Sequence, residues 1–299
     1  MKIYQDTYDK LHCSEPLTVT IGNFDGIHVG HQQLIEHVNA YQDTKHAVIT
    51  FDPHPLNVIR KQPIKTLSHV SEKMDMFNKL GLDYAFIVQF DSHFSNLSIN
   101  DFLNFLKRLG VKRVVIGRDA RFGYRAEGTV EDLRKVFEVE VIDDLLYQNT
   151  RVSTTYVKDL LSDGNLQGAK TLLGRNYLIY GIVVHGNKVG HKLGFPTANI
   201  DYNHYFLPQN GVYHVNVTVD QIMYHGMANI GYNPTVNFTT DKRLEIYILD
   251  FNQDIYGKTL KIEFLTYLRS ESKFKSRKEL IDQLKNDEAT VRALSQANL

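Results

Sequence analysis

Two histidines in a glycine-rich run are the residues best suited to chemistry in the first half of the chain. His28 and His31 belong to the run GNFDGIHVGH at residues 22–31. Imidazole groups can donate hydrogen bonds to a phosphate as it becomes five-coordinate, and Gly22 and Gly30 let the backbone approach a phosphate closely. The run therefore predicts a phosphoryl- or nucleotidyl-transfer site without a covalent intermediate. Two other interpretations stay open, namely that the histidines only cap the following helix or that they bind a metal ion.

Three further segments of the first half carry polar side chains that could reach the same ligand. Thr154, Thr155 and Lys158 stand at the predicted start of a helix, where hydroxyl groups and an ammonium group suit phosphate oxygens. The runs TFDPHP at residues 50–55 and GRDARFG at residues 117–123 each follow a predicted strand. Each of these segments is also consistent with a plain helix cap or a polar loop.

The second half carries its own group of candidate residues. Thr197 and Asn199 lie in the run GHKLGFPTAN at residues 190–199, and they offer neutral oxygens to Mg²⁺ and to nucleotide phosphates. In the run LEIYILDF, alternation places Glu245 on the face opposite Leu244, where its carboxylate could accept a proton from an alcohol. Arg269 could clamp a ligand. A barrel corner with polar turns and a solvent-facing glutamate are the alternatives.

The elements that must position the first group alternate between strand and helix. Short apolar strands are predicted at residues 17–22, 46–51, 84–88, 113–116 and 139–142, with helical patterns between most of them. Such alternation predicts βαβ units and a parallel sheet. Ligands of an open parallel sheet bind at the carboxyl ends of its strands, which is where the histidine run falls.

The second half changes to closely spaced strands. They are predicted at residues 178–185, 212–219, 223–229, 244–251 and 260–268, which indicates an antiparallel barrel or a sandwich. A closing helix is predicted over residues 276–295, and residues 156–173 are also helical in pattern. We place the boundary near residue 174, giving domains 1–173 and 174–299.

The composition of the 299 residues narrows the classes of partner. The 34 Lys and Arg residues balance the 34 Asp and Glu residues, so no overall field attracts nucleic acid or an acidic membrane. The single cysteine, Cys13, cannot form an internal disulfide, and no apolar run approaches a membrane span or the core of a signal peptide. We expect a soluble cytoplasmic protein. A P-loop and the protein-kinase signatures are absent from the sequence.

Taken together and in order, these motifs resemble one known family. The matching runs include GNFDGIHVGH, TFDPHP, RVSTTYVKDLL, LGFPTANI, LEIYILDF and LRSESKF. They are similar to those of the bacterial bifunctional FAD synthetases, which are riboflavin kinase/FMN adenylyltransferases. The resemblance implies an α/β + β chain, with an N-terminal Rossmann-like nucleotidyltransferase domain on a parallel sheet. It also implies a C-terminal antiparallel β-barrel riboflavin kinase domain that ends in a helix.

The resemblance also implies substrates and residue roles. The C-terminal domain would phosphorylate riboflavin with ATP to give FMN, and the N-terminal domain would adenylylate FMN to FAD and release pyrophosphate. The implied catalytic residues are Glu245, His28 and His31. The implied nucleotide- and phosphate-binding residues are Gly22, Asn23, Asp25, Gly30, Thr154, Thr155, Lys158, Gly190, Thr197 and Asn199. Thr197 and Asn199 would also bind Mg²⁺, and flavin would contact Asp119, Phe122 and Arg269.

The sequence leaves three alternatives to the bifunctional enzyme. The first is a riboflavin kinase whose adenylyltransferase activity is weak or lost. The second is a flavin-binding sensor that has kept the fold without the activity. The third is a relative of the class I aminoacyl-tRNA synthetases, which share the His-x-Gly-His motif, but the sequence contains no KMSKS-like segment.

Overall fold

The computed structural model describes residues 1–186, 194–232 and 242–297. The chain divides into two compact units, Met1–Thr154 and Thr155–Leu299.

A six-stranded sheet with all strands parallel forms the centre of the first unit. Its strands are β1 (Lys2–Asp6), β2 (Leu17–Ile21), β3 (Lys45–Asp52), β4 (Tyr84–Gln89), β5 (Val111–Gly117) and β6 (Glu138–Ile142). Their order in the sheet is β1-β4-β3-β2-β5-β6, and each neighbouring pair is parallel. The predicted parallel sheet is thus confirmed, with one additional edge strand, β1. A small antiparallel hairpin follows the sheet, made of β7 (Leu146–Tyr147) and β8 (Thr150–Arg151).

Helices connect these strands and cover both faces of the sheet. They are α1 (Val29–Asn39), α2 (Pro55–Arg60), α3 (Val70–Lys79), α4 (Ser92–Ser95), α5 (Ile99–Arg108) and α6 (Val130–Arg134), with a 3₁₀ turn at Tyr124–Ala126. Alternate residues of β3 show why both faces are buried: Ile49 belongs to the apolar cluster that includes α5, whereas Val48 belongs to the cluster that includes α1 and α3. Strands buried on both faces are typical of parallel sheets.

The second unit is a closed antiparallel barrel, which decides between the two predicted β architectures. Its strands are β9 (Tyr177–Val184), β10 (Ala198–Asp201), β11 (Gly211–Val219), β12 (Ile222–Tyr232), β13 (Lys242–Ile248) and β14 (Thr259–Arg269). Around the barrel their order is β10-β13-β12-β11-β14-β9. Side chains of alternate residues, such as Tyr213 on β11 and Phe264 on β14, pack ring against ring at 5.4 Å between centroids, and both are fully buried.

Among its described residues, the second unit also contains three helices. Residues 156–173, predicted to be helical, fold as α7 (Thr154–Ser162) and α8 (Leu166–Leu173), separated at Gly164, whose φ is +72°. The side chain of Asn165 then caps α8 by accepting the Gly168 N–H. The last helix, α9 (Arg277–Ala297), buries Val291 in an apolar cluster with Val212 and Met227. The predicted terminal helix is therefore confirmed, and it covers one outer face of the barrel.

Candidate active sites

The histidine run of the first unit forms the turn from β2 into α1. His28 is the N-cap residue of α1, and its Nδ1 accepts the His31 N–H at 3.3 Å. His28 therefore caps α1, as one of the predicted interpretations has it. The cap also fixes the tautomer, because an accepting Nδ1 leaves the proton of a neutral His28 ring on Nε2.

The two imidazole rings are stacked and largely buried. Their centroids lie 3.7 Å apart with planes inclined by 16°. Burial lowers the pKa of His28 to about 4, helped by the charge of Arg151. Burial also holds the pKa of His31 well below its usual range, assisted by the charges of His28, Lys73 and Arg151. Both rings are neutral near pH 7, and each can donate one hydrogen bond to a ligand.

Buried hydrogen bonds fix the loop that carries these histidines. The Asp25 carboxylate accepts the backbone N–H groups of Leu67 at 2.7 Å and Ser68 at 3.1 Å. The Ser68 hydroxyl in turn accepts the Gly26 N–H at 2.9 Å. Thr154 donates its hydroxyl to the Asp25 carbonyl at 3.0 Å. Asp25 and Thr154, both predicted to contact phosphate, thus hold the loop in this structure.

Lys73 is a residue of this site that the sequence reasoning missed. It lies on α3 with only 5% of its surface exposed, and its Nζ donates to the Asn23 carbonyl at 3.0 Å. In the first unit, three buried atoms of β2 and the histidine run have no hydrogen-bond partner among the described residues: Thr20 Oγ1, Asn23 Oδ1 and His31 Nδ1. Buried polar atoms of this kind normally have partners, so they mark a place where a polar ligand fits.

A cavity of about 590 Å³ adjoins Gly22 and Asn23. Aromatic side chains dominate its wall, including Phe51, Phe102 and Phe122. Its size and apolar wall suit a planar ring system. Phe122, predicted to contact flavin, lies in this wall. Asp119 is not among the lining residues. Its carboxylate instead accepts the guanidinium of Arg151 at 2.5 and 2.7 Å, and this bond lowers the pKa of Asp119.

Thr155 and Lys158 lie on α7 within the second unit. The Nζ of Lys158 lies 5.7 Å from the centre of the Phe206 ring. Their predicted contacts with phosphate stay predictions. Gly190 lies outside the described residues, so its predicted role also stays a prediction.

In the barrel, strand register places several predicted residues in one row. Asn199 on β10 is opposite Glu245 on β13, and Glu245 is opposite Asn229 on β12. The row continues through Val212 on β11 to Arg269 on β14. Directly opposite residues point to the same face, so these side chains share the outer surface of the barrel. The alternation predicted for β13 is confirmed, because Leu244 and Ile246 are buried whereas Glu245 is half-buried.

Arg243 connects the first two members of this row, Asn199 and Glu245. Its Nε and Nη2 donate to Asn199 Oδ1 at 3.1 and 2.9 Å, and its Nη2 lies 2.5 Å from Glu245 Oε1. One guanidinium therefore orients both the amide and the carboxylate. The sequence reasoning did not select Arg243, since the link depends on pairing between β10 and β13.

Two cavities meet at Thr197. One, of about 460 Å³, is lined by Thr197 together with Asp254 and Tyr256. The other, of about 410 Å³, is lined by Thr197 together with Glu245 and Arg269. A threonine shared by two cavities can contact ligands in both of them. This arrangement suits a group transfer between two bound molecules.

Arg269 lines the second of these cavities, and its guanidinium is already bound to a carboxylate of the same unit. Its guanidinium donates to the Asp287 carboxylate on α9 through Nε at 3.0 Å and Nη2 at 2.7 Å. Gln283 donates to the same carboxylate at 2.8 Å. The predicted flavin contact of Arg269 therefore stays a prediction, and its observed bonds attach β14 to α9.

Two absences concern only the part of the chain that the structure describes. Within residues 1–186, 194–232 and 242–297, no group of three or more His, Cys, Asp and Glu side chains could hold a metal ion. Among those same residues, no helix is both long enough and apolar enough to cross a membrane.

Comparison with known proteins finds relatives over nearly the whole chain. Residues 10–156 match the family described as FAD synthetase, and residues 173–295 match the family described as riboflavin kinase. The chain is 40% identical to the bifunctional riboflavin kinase/FMN adenylyltransferase of Listeria monocytogenes, covering 92% of this chain and 91% of the relative. The enzyme of the same name from Bacillus subtilis is 36% identical, with coverage of 90% and 89%.

A solved structure agrees with this match in fold. It is a crystal structure of a protein from Streptococcus pneumoniae that is named a macrolide-efflux protein. It superposes with a TM-score of 0.87 at 32% identity, covering 98% of this chain and 99% of that chain.

Proposed function

This chain belongs to the family of bifunctional riboflavin kinase/FMN adenylyltransferases, and from that membership we propose which residues catalyse each of the two reactions. The enzyme phosphorylates riboflavin with ATP to give FMN, and it adenylylates FMN to FAD with release of pyrophosphate. Both family matches are present, so the alternative of a kinase without the second activity has no support here.

We propose that His28 and His31 catalyse adenylyl transfer. The FMN phosphate oxygen attacks the α-phosphorus of ATP, and the bond to pyrophosphate breaks. Two neutral imidazoles at the start of α1 then donate hydrogen bonds to the α-phosphate oxygens as their charge grows. Two observations support this role. The two rings are stacked and largely buried, and their pKa values are lowered. They also belong to the turn whose residues Gly22 and Asn23 line the 590 Å³ cavity. That cavity would hold the flavin ring against Phe122.

The proposed base of the kinase is Glu245. Its carboxylate accepts the proton of the ribityl 5′-hydroxyl as that oxygen attacks the γ-phosphorus of ATP and ADP leaves. This proposal is supported by the lining of the two barrel cavities: Thr197 lines both of them, whereas Glu245 lines only the cavity of about 410 Å³. We therefore assign riboflavin to the cavity with Glu245 and ATP to the cavity with Asp254, with transfer occurring at Thr197.

Mg²⁺ belongs to this proposal as the partner of ATP. Thr197 offers a hydroxyl oxygen and Asn199 an amide oxygen, which are the hard donors that Mg²⁺ prefers. Asn199 Oδ1 already accepts two N–H groups of the Arg243 cation, so a positive charge suits that position. When bound, Mg²⁺ neutralises phosphate charge. Thr197 and Asn199 would hold it, and Arg243 would keep Glu245 oriented.

Two assays on single variants of the full chain test these roles. Glu245→Gln should lower riboflavin phosphorylation by roughly 100-fold or more while leaving FAD formation from supplied FMN unchanged. His31→Asn should lower FAD formation by roughly 100-fold or more and leave the kinase unchanged. The matched controls are Glu263→Gln on β14 and His37→Asn on α1, which should change neither activity by more than about twofold. Equal kinase rates for Glu245→Gln and Glu263→Gln would remove Glu245 from the mechanism.

We also propose a domain boundary near residue 173 and a cytoplasmic location. The riboflavin kinase match begins at residue 173, although the division into compact units falls earlier, after Thr154. Limited proteolysis followed by assay of each fragment would locate the boundary. Both reactions use ATP, which the cytoplasm supplies, and fractionation of cells would test the location.

A further inference from the structure

We infer that Lys73 is a positioning residue of the adenylyl-transfer site, where its buried ammonium group holds the Asn23 carbonyl and supplies a positive charge that acts on His31. The inference rests on the proposed role of the two histidines. Nothing in the motifs of the sequence selects Lys73, which comes from a helix outside the glycine-rich run. Three features of its surroundings support it.

The first feature is the degree of burial. Only 5% of Lys73 is exposed, whereas Lys79 on the same helix is exposed to solvent. Burying an ammonium group is unfavourable unless partners compensate for the lost water. Its partners are the Asn23 carbonyl at 3.0 Å and the Thr50 hydroxyl at 3.4 Å. An apolar residue at this position would avoid the cost of burying a charge, but it could not donate a hydrogen bond to the Asn23 carbonyl.

The second feature is the strain of the loop that Lys73 holds. Phe24 has a φ of +52° and Ile27 a φ of +41°, a region that side chains with a Cβ seldom occupy. Strained conformations persist only where the surroundings fix them. Asp25 and Gly26 are fixed by the segment at residues 67–68, and Asn23 is fixed by Lys73. The three bonds together hold the turn between β2 and α1 in one conformation.

The third feature is electrostatic. The charges of Asp25 and Asp52 act on Lys73 and oppose the effect of burial on its pKa, which is lowered overall. Lys73 acts in turn on His31, together with His28 and Arg151, and each of these interactions lowers the pKa of His31. Burial is the main cause of the lowered pKa of His31, and the positive charge of Lys73 adds to it in keeping His31 neutral in the free enzyme. The same positive charge also attracts the negative charge that grows on the α-phosphate during transfer.

The sign of the expected change follows from these charges. Removing the Lys73 cation makes protonation of His31 less unfavourable, so the pKa of His31 rises towards its usual value. The acidic limb of the pH profile for FAD formation therefore moves to higher pH. A purely structural lysine would affect stability and leave this limb in place.

The experiment compares Lys73→Met with its exposed counterpart Lys79→Met in the full chain. We expect Lys73→Met to lower kcat for FAD formation about tenfold or more and to shift the acidic limb upwards by about half a pH unit or more. Lys79→Met should match the parent enzyme. Proton NMR titration of the His31 ring should show the same upward shift. Riboflavin phosphorylation, measured on the same samples, should stay unchanged.

If the first unit of Lys73→Met does not fold, Lys73→Arg provides a second test. The guanidinium keeps the charge, so the acidic limb should stay where it is in the parent enzyme even if kcat falls. An unshifted limb in Lys73→Met, or a shifted limb in Lys73→Arg, would overturn the inference. His31→Asn separates this failure from failure of the proposed site: full FAD formation in His31→Asn would mean that the histidine assignment is itself wrong.

Discussion

Arg243 shows how one side chain can set the geometry of a pair of reactive groups. Its guanidinium contacts Asn199 and Glu245 at once, from a position two residues before Glu245 on the same strand. Planar guanidinium groups present several donors in a fixed arrangement, which suits this double contact better than an ammonium group would. We therefore expect Arg243 to affect the kinase through the position of Glu245.

Replacement of Arg243 by methionine tests this expectation. The variant keeps an unbranched apolar side chain but leaves the Glu245 carboxylate and the Asn199 amide without their shared donor. The kinase kcat should fall by about tenfold or more, since a hydrogen bond to a charged group contributes about 1.5–3 kcal/mol. The KM for riboflavin should change little, and the Mg²⁺ concentration for half-maximal rate should fall because Arg243 no longer occupies Asn199.

The control for this change is Lys258→Met, which breaks an exposed ion pair with Asp220 elsewhere on the barrel. Exposed pairs contribute little, so Lys258→Met should behave like the parent enzyme. A kinase kcat for Arg243→Met equal to that of the control would show that Glu245 needs no help from Arg243.

At the residue scale, the sequence predicted what depends on local spacing. Alternation along β13 was enough to place Glu245 on the face opposite Leu244, and the position of His28 before α1 was enough to suggest its cap. Lys73 and Arg243 were not predicted as site residues, because each has hydrogen-bond partners that are far away in the sequence. In an amphipathic helix or strand, a single Lys or Arg is usually a solvated residue, and only the packing shows otherwise.

Among the elements, α9 and β14 are connected by one buried ion pair. Only 4% of Asp287 is exposed, and its carboxylate accepts Arg269 and Gln283. Removing one partner of a buried pair leaves an uncompensated charge, which costs far more than the loss of an exposed pair. Because Arg269 also lines the cavity assigned to riboflavin, the position of α9 is connected to that cavity.

Asp287→Asn should therefore affect both stability and flavin binding. The free energy of unfolding should fall by roughly 1–3 kcal/mol, since the half-buried Arg269 charge loses its counter-ion while the amide keeps one acceptor. The KM for riboflavin should rise severalfold, whereas the KM for ATP in the kinase reaction should not change. Denaturant unfolding and steady-state kinetics measure the two effects. Asp282→Asn, an exposed site on α9, is the control, and a parallel rise of both KM values would argue against a specific connection to the flavin cavity.

The elements themselves were predictable to different degrees. The strands at the centre of the parallel sheet are apolar on both faces, so composition alone located them. The edge strand β1 is mostly exposed and polar, and only its pairing with β4 makes it a strand. The short strand β10 was missed because it directly follows a proline turn, and its pairing with β9 and β13 is what closes the barrel.

For the whole molecule, the two reactions are joined by a chemical intermediate, FMN, which one site makes and the other consumes. The two proposed sets of catalytic residues share no member, since His28 and His31 belong to the first unit and Glu245 to the second. A variant of one set should therefore leave the other reaction intact. If FMN passes through solution, a defect in one chain can also be corrected by a different chain.

Mixing two defective variants tests this correction. Glu245→Gln alone should make FAD from riboflavin at no more than about a hundredth of the parent rate, and His31→Asn alone should accumulate FMN. Mixed with riboflavin, ATP and Mg²⁺, the two should form FAD after a lag, because FMN released by His31→Asn must accumulate to the KM of the second reaction. Supplying FMN at the start should abolish the lag. If each variant keeps its remaining activity but the mixture makes no FAD from riboflavin, the FMN made by His31→Asn is not released to solution, and in the parent enzyme it must pass to the second site within one molecule.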